Sequence, residues 1–281
     1  MSAPSSVMTS SVASVNDAPI GIFDSGVGGL TVARAVIDQL PHEQILYVGD
    51  TARGPYGPRS LAEVRQFALE IMDGLVARGV KMIVIACNTV SAVALEVVQK
   101  HAKVPVVGVI LPGAEAAVRA SKSKRIGVIG TVGTIASNAY ANAIRLCDPQ
   151  ASVTGQACPL FVPLAEEGWT DHAATELIAK EYLFPLKLHK IDTLVLGCTH
   201  YPILRSVIQE VVGAGVTLVD SGEATAQVVA DLLDEKGLRN MSSARANVQF
   251  FVSDIPHKFA EVGERFLGER LGRVRRAEGA F

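Results

Sequence analysis

The sequence predicts an α/β fold of two pseudo-symmetric lobes, each an open parallel sheet flanked by helices, with the active site in the cleft between them. Three observations carry that expectation. From residue 19 onward, short apolar runs without polar alternation, such as Ile83-Val84-Ile85-Ala86 and Leu194-Val195-Leu196-Gly197, alternate with amphipathic helical patterns; this is how parallel strands covered on both faces read in a chain of βαβ units. Two of the runs end in nearly the same words, Ala86-Cys87-Asn88-Thr89 and Gly197-Cys198-Thr199-His200, 111 residues apart. Other landmarks recur in the same order at a similar offset: Pro19-Ile20-Gly21-Ile22-Phe23-Asp24 answers Arg125-Ile126-Gly127-Val128-Ile129-Gly130, and Pro105-Val106-Val107-Gly108 answers Val216-Thr217-Leu218-Val219.

Taken in order, residues 1–18 hold six serines and neither Lys nor Arg, a composition expected of a mobile tail and lacking the charged start and apolar stretch of a secretory signal. A strand over 20–23 runs into the glycine-rich turn Asp24-Ser25-Gly26-Val27-Gly28-Gly29, and a helix comes next with Leu30, Ala33, Ile37 and Leu40 on one face. A second strand, 45–49, meets the loop Asp50-Thr51-Ala52-Arg53-Gly54-Pro55-Tyr56-Gly57-Pro58, too rich in Gly and Pro to be regular. Ser60, with Glu63 three residues later, opens a helix through Val64, Phe67, Ala68, Ile71 and Leu75 as a capping box, and Gly79 stops it. Strands are expected at 80–86 and 104–109, and Leu111-Pro112-Gly113 is a natural crossing to the second lobe. That lobe, 114–221, holds strands at 126–130, 153–157, 192–197 and 216–219. The segment after Ser221 has no counterpart in it, so 222–281, with a strand at 248–252, is expected to return and complete the first lobe begun by 19–113.

Composition narrows the partners. The 281 residues are 49% hydrophobic, and 26 basic side chains nearly balance 28 acidic ones; this fits small-molecule chemistry better than a nucleic-acid or membrane surface. Four cysteines without a Cys-x-x-Cys pair suggest neither a disulfide scaffold nor a metal site, and a reducing cytoplasm suits them. Five arginines within 265–276 are the exception. Phe259, Val262, Phe266, Leu267 and Leu271 form an apolar stripe there, and the helix carrying Arg265, Arg270 and Arg273 on its other face reads as a solvated surface rather than a nucleic-acid contact.

The chemistry collects at the strands' carboxyl ends, the edge at which open parallel sheets bind ligands. Cys87 and Cys198 each precede a helix, whose amino-terminal partial charge favours thiolate. Against this stands the ordinary fate of a free cysteine, which is burial in the core; two in matching polar surroundings argue for two thiols facing one substrate. The glycine turn is a poor dinucleotide fingerprint because Asp24 and Ser25 stand where the first glycine belongs. Its N–H groups and Ser25 suit a carboxylate, while Asp24 suits an ammonium, a proton relay or a helix cap. Tyr56 and the Gly57 N–H can close over a ligand, and Arg53 either meets a distal carboxylate or braces its loop. His200 can polarise Cys198, and Glu166 can tune His200.

These segments together resemble glutamate racemases of the cofactor-independent Asp/Glu racemase superfamily, from about residue 19 to 240: GIFDSGVGGLTV (21–32), YVGDTARGPYGPRS (47–60), IACNT (85–89), PVVGVILPG (105–113), GVIGTVGTIAS (127–137), CPLFVPLAEEG (158–168), LGCTHYPIL (196–204) and LVDSG (218–222). The resemblance implies interconversion of L- and D-glutamate with neither cofactor nor metal, supply of D-glutamate to peptidoglycan, and a homodimer. Carried over residue by residue, Cys87 takes the Cα proton of D-glutamate and Cys198 that of L-glutamate, supported by Asp24, Glu166 and His200. Asp24, Ser25, Tyr56, Gly57, Asn88, Thr89, Thr199 and His200 contact the substrate. Retention of both thiols argues against a decarboxylase relative; a two-lobed amino-acid binding protein shares the cleft but would leave Cα hydrogens in place.

Overall fold

The computed structural model describes residues 15–243 and 247–277. Its elements follow the predicted alternation: β1 (Ile20–Asp24), α1 (Leu30–Gln39), β2 (Ile45–Gly49), α2 (Leu61–Ala77), β3 (Met82–Ile85), α3 (Asn88–His101), β4 (Val106–Gly108), α4 (Ile110–Ala120), β5 (Arg125–Gly130), α5 (Val132–Ala136), α6 (Ala139–Cys147), β6 (Ser152–Ala157), α7 (Phe161–Glu166), α8 (Ala173–Leu188), β7 (Thr193–Gly197), α9 (Arg205–Val212), β8 (Thr217–Asp220), α10 (Ser221–Glu235), β9 (Val248–Val252), α11 (Pro256–Leu267) and β10 (Val274–Arg276).

Two sheets form, parallel throughout, with strand orders β10-β9-β2-β1-β3-β4 and β6-β5-β7-β8. The quartets β2-β1-β3-β4 and β6-β5-β7-β8 share one connectivity. In each, the chain leaves the first strand to one side and returns on the other, so β1/β3 and β5/β7 are topological switch points, where the helices diverge and open a crevice beyond the strand ends. Cys87 comes after β3 and Cys198 after β7, equivalent positions beside the two crevices.

The strands are apolar on both sides because both sides are covered. Phe23, Leu46, Val48, Ile83 and Ile85 pack under α2 and α3 through Val64, Ala68, Ile71, Leu75, Val90 and Ala94. Ile20, Ile22, Tyr47, Met82 and Val84 share the opposite, larger core with Leu30, Val36, Phe259 and Phe266, and that core continues into Ile129 and Leu196 of the second sheet. Helix α2 begins as predicted: the Ser60 hydroxyl accepts from the Glu63 N–H at 3.3 Å and the Glu63 carboxylate accepts from the Ser60 N–H at 3.1 Å. Gly79, past its end, has φ +72°, open to a residue without Cβ.

Two expectations need correction, one gains detail, and one strand has no counterpart among the expected ones. Residues 1–14 of the expected tail lie outside the described residues, but Val15–Asp17 form a 3₁₀ turn and are held: the Asn16 amide donates to the Gly237 and Arg239 carbonyls, both at 3.1 Å. Leu111-Pro112-Gly113, expected as the crossing to the second lobe, lies in the first turn of α4, between β4 and β5, where proline lacks only an N–H that has no intrahelical acceptor. Helix α11 ends at Leu267 with Gly268 at φ +76°, so Arg270 and Arg273 lie beyond it, on the approach to β10. That strand escapes sequence reading because Val274-Arg275-Arg276 is a short, charged edge strand, which has no apolar run to announce it.

Candidate active site

Cys87 caps α3 and is 5% exposed; Cys198 is 6% exposed. The Cys87 thiol lies 3.6 Å from the Ser25 hydroxyl. Burial pushes that thiol up to about 12, and the neighbouring Asp24 charge and, more weakly, Cys198 act in the same direction. Cys198 Sγ lies 3.9 Å from His200 Nδ1, and His200 Nε2 lies 2.9 Å from Glu166 Oε1. The contact between Glu166 and His200, unreadable in sequence, therefore forms. Burial opposes the imidazolium, but hydrogen bonds to Cys198 and Glu166 outweigh it and carry His200 up to about 10. Phe266 closes the ring's flank edge-on at 5.2 Å.

Asp24 ends β1 and is completely buried. Its Oδ2 accepts the Gly26 N–H at 3.0 Å, whereas Oδ1 has no hydrogen-bond partner. Burial raises its pKa while His200 and the N–H groups of Gly29, Gly26 and Ser25 pull it down. The turn around it is tight: a Cβ on Gly29 would lie 2.4 Å from Asp24 Cβ, and a Cβ on Gly28 would lie 2.4 Å from both His200 Nδ1 and Thr199 Oγ1. Gly28 therefore presses the first lobe's loop directly against the residues following Cys198, and Thr31 Oγ1 donates to the Thr199 carbonyl at 3.0 Å across the same junction.

Asn88 and Thr89 open α3. Asn88 Oδ1 accepts from the Tyr140 hydroxyl at 2.6 Å, while its buried Nδ2 has no partner. Thr89 Oγ1 joins a triangle of hydroxyls with Thr131 and Thr134 at 3.0 and 3.3 Å. Tyr56 is 1% exposed, packs in the same apolar cluster as Cys87, and donates to Asp50 Oδ2. Gly57 lies against Thr131. Arg53 braces the loop: its Nε bonds Asp50 at 2.6 Å, another nitrogen bonds Glu70, and its guanidinium sits 4.2 Å from the Phe67 ring centre.

A cavity of about 450 Å³ is lined by Ser25, Gly26, Pro55, Glu166, His200 and Phe259 of α11, among others. Neither cysteine lines it. Each reaches it through its hydrogen-bonded neighbour, Cys87 through Ser25 and Cys198 through His200. Sequence reasoning missed Tyr140, Thr131 and Thr134. The threonines stand in the Gly130-Thr131-Val132-Gly133-Thr134 turn, whose position after β5 matches Asp24-Ser25 after β1, a signal that was present. Tyr140 had none beyond the rule that a buried phenol seeks a hydrogen-bond partner.

A model of the Asp/Glu/Hydantoin racemase family matches residues 30–229. A glutamate racemase from Geobacter metallireducens is 54% identical over 255 residues, 91% of this chain and 94% of that protein. Among solved structures, a glutamate racemase isoform from Bacillus anthracis superposes with TM-score 0.90 at 42% identity, covering 94% of this chain and 98% of the other. One from Francisella tularensis, in complex with D-glutamate, gives 0.88 at 40% identity over the same shares.

Proposed function

We propose, from the premise that this chain belongs to the Asp/Glu racemase family, that it interconverts L- and D-glutamate by moving a proton at Cα between two thiols. Its activity is that of a glutamate racemase, an isomerase. The observation that carries the two-thiol reading is the pairing of Cys87 and Cys198 at equivalent switch points, with one unsatisfied buried acceptor and one unsatisfied buried donor nearby, Asp24 Oδ1 and Asn88 Nδ2. An acceptor and a donor of that kind match the ammonium and carboxylate of an amino acid, and burial makes each unmade bond worth about 1–3 kcal/mol.

Inverting a stereocentre requires a base on one face of Cα and an acid on the other. The two thiols take these roles in turn. On the Cys198 side, His200, held by Glu166, stands 3.9 Å from the sulfur that removes the proton from L-glutamate. On the Cys87 side, burial and Asp24 keep the thiol protonated and ready to deliver. The negative charge that builds on the substrate carboxylate as Cα–H breaks is stabilised by Asn88 Nδ2, the Thr199 hydroxyl and the backbone N–H groups beyond Asp24, donors on buried residues. For D-glutamate the roles reverse: the substrate ammonium offsets Asp24 and lowers the barrier to ionising Cys87. The distal carboxylate extends toward the cavity beside Ser25 and His200.

The same reading makes the enzyme cytoplasmic and homodimeric, with D-glutamate destined for peptidoglycan. Four free cysteines suit a reducing compartment, and among the described residues no helix is long and apolar enough to cross a membrane. The test is the enzyme with D-glutamate in D₂O. Deuterium should enter Cα of the product, seen as loss of the α-proton NMR signal, and Cys87→Ser and Cys198→Ser should each stop racemisation without recovery on mixing. No exchange with either enantiomer would leave a two-lobed binding protein; full activity in either single variant would remove the two-thiol mechanism.

A further inference from the structure

We infer that Tyr140 is a positioning residue that fixes the orientation of the Asn88 amide and ties it to the Cys198 loop, so that one side chain of the second lobe sets the geometry beside both cysteines. Tyr140 stands in the first turn of α6, is 3% exposed, and packs its ring over Gly197: a Cβ there would lie 3.0 Å from Tyr140 Cε2 and 2.6 Å from the Ile129 carbonyl oxygen. Gly197 immediately precedes Cys198, so the ring packs on the backbone that presents the second thiol. Its hydroxyl crosses to the first lobe and donates to Asn88 Oδ1 at 2.6 Å, next to Cys87. Ser221 acts on the phenol as a second hydrogen-bonding side chain, in the sense of a donor, which leaves the phenol proton for Asn88.

The consequence is directional. A carboxamide presents a donor on one side and an acceptor on the other, and rotation about its last bond exchanges them at little cost unless a partner discriminates. With Oδ1 occupied by Tyr140, the donor Nδ2 is the group left free, and it is buried without a partner. Turned round, Asn88 would point a carbonyl oxygen at a carboxylate. The inference rests on the reading of Asn88 as a carboxylate-holding group.

The experiment uses the full chain and initial rates with D- and L-glutamate for Tyr140→Phe, Asn88→Ala and the double variant. Tyr140→Phe keeps the ring on Gly197 and should leave Tm within about 3 °C of the parent. It should raise KM about tenfold for both enantiomers while kcat changes less, because what is lost is a hydrogen bond to a charged group made before and during the reaction. The double variant should be no worse than Asn88→Ala, since Tyr140 acts through an amide that is no longer there. Asn88→Asp, with Tyr140 intact, should bind more weakly than Asn88→Ala by placing an acceptor against the carboxylate, a check that does not depend on how well Tyr140→Phe folds. Wild-type KM in Tyr140→Phe, fully additive effects in the double variant, or Asn88→Asp binding as well as Asn88→Ala would each overturn the inference. Wild-type KM in Asn88→Ala would overturn it together with the reading of Asn88, whereas failure of α-proton exchange in the unmodified enzyme is a separate result that bears on the racemase reading itself.

Discussion

Gly28→Ala places one methyl group at the seam on which the proposed chemistry depends. That carbon would lie 2.4 Å from His200 Nδ1, 2.4 Å from Thr199 Oγ1 and 2.5 Å from His200 Cε1. Ordinary contact begins at 3.4 Å, so the two sides must part by about 1 Å. His200 cannot yield without losing Cys198 on one nitrogen or Glu166 on the other, and Thr199 is fastened by Thr31 through its carbonyl. Overpacking of this kind costs about 1–3 kcal/mol, a fall in Tm of roughly 2–10 °C. A 1 Å displacement beside a reacting group can remove about a hundredfold in rate. The loss should be lopsided: Cys198 can no longer deliver a proton well, but Cys87 can still take one from D-glutamate and return deuterium to the same face. In D₂O, the ratio of α-proton exchange without inversion to inversion, monitored by NMR together with a chiral assay, should therefore rise for D-glutamate. If Tm and that ratio both match the parent, the tight seam has no bearing on catalysis and the assignment of His200 to Cys198 is wrong.

The same physics sets other outcomes. His200 folds with its pKa raised from the ordinary 6.5 to about 10, so the stabilisation it contributes is complete below about 6.5 and is lost as pH rises through about 10; a Tm-against-pH profile should show that alkaline limb, and Glu166→Gln should move it to lower pH. Lys81→Met strands the Glu43 carboxylate, whose Oε2 lies 2.6 Å from the ammonium while both side chains are at most 1% exposed. Urea unfolding should register a loss of about 3–5 kcal/mol, partly restored by adding Glu43→Gln. Ser60→Ala removes one half of the α2 capping box and should cost about 1 kcal/mol by the same measurement, with kinetics unchanged.

What could be read in the sequence is what local pattern encodes. Strand ends are marked by apolar runs that stop, and the capping box and glycine turn bind their own neighbours, so Asp24, Cys87 and Cys198 could be placed at sheet edges without coordinates. The repeat then implied that equivalent edges face each other. Contacts whose halves lie far apart in the chain left no such trace. The Tyr140 hydroxyl meets Asn88 from another lobe, and Lys81 is met by Glu43, the Asn16 carbonyl and the Leu238 carbonyl, partners that only the closed fold gathers. Tyr56 and Arg53 could be assigned to a shaped loop, but their commitment to Asp50 depends on side-chain direction, which Gly and Pro spacing does not specify. The charged β10 went against local propensity, and tertiary packing decided it.

The seating of β9 against β2, with Val248 opposite Ile45, bears on how the protein is born. A ribosome emits the strand at 45–49 long before its partner, and the intervening stretch contains every strand of the second lobe. Until about two hundred further residues have emerged, β2 has an unpaired backbone edge, the kind of surface that recruits stray strands. The middle lobe can close while its neighbour waits, so nascent chains stalled before residue 248 should carry a finished β5–β8 sheet beside an incomplete one, and should be the species most dependent on chaperones.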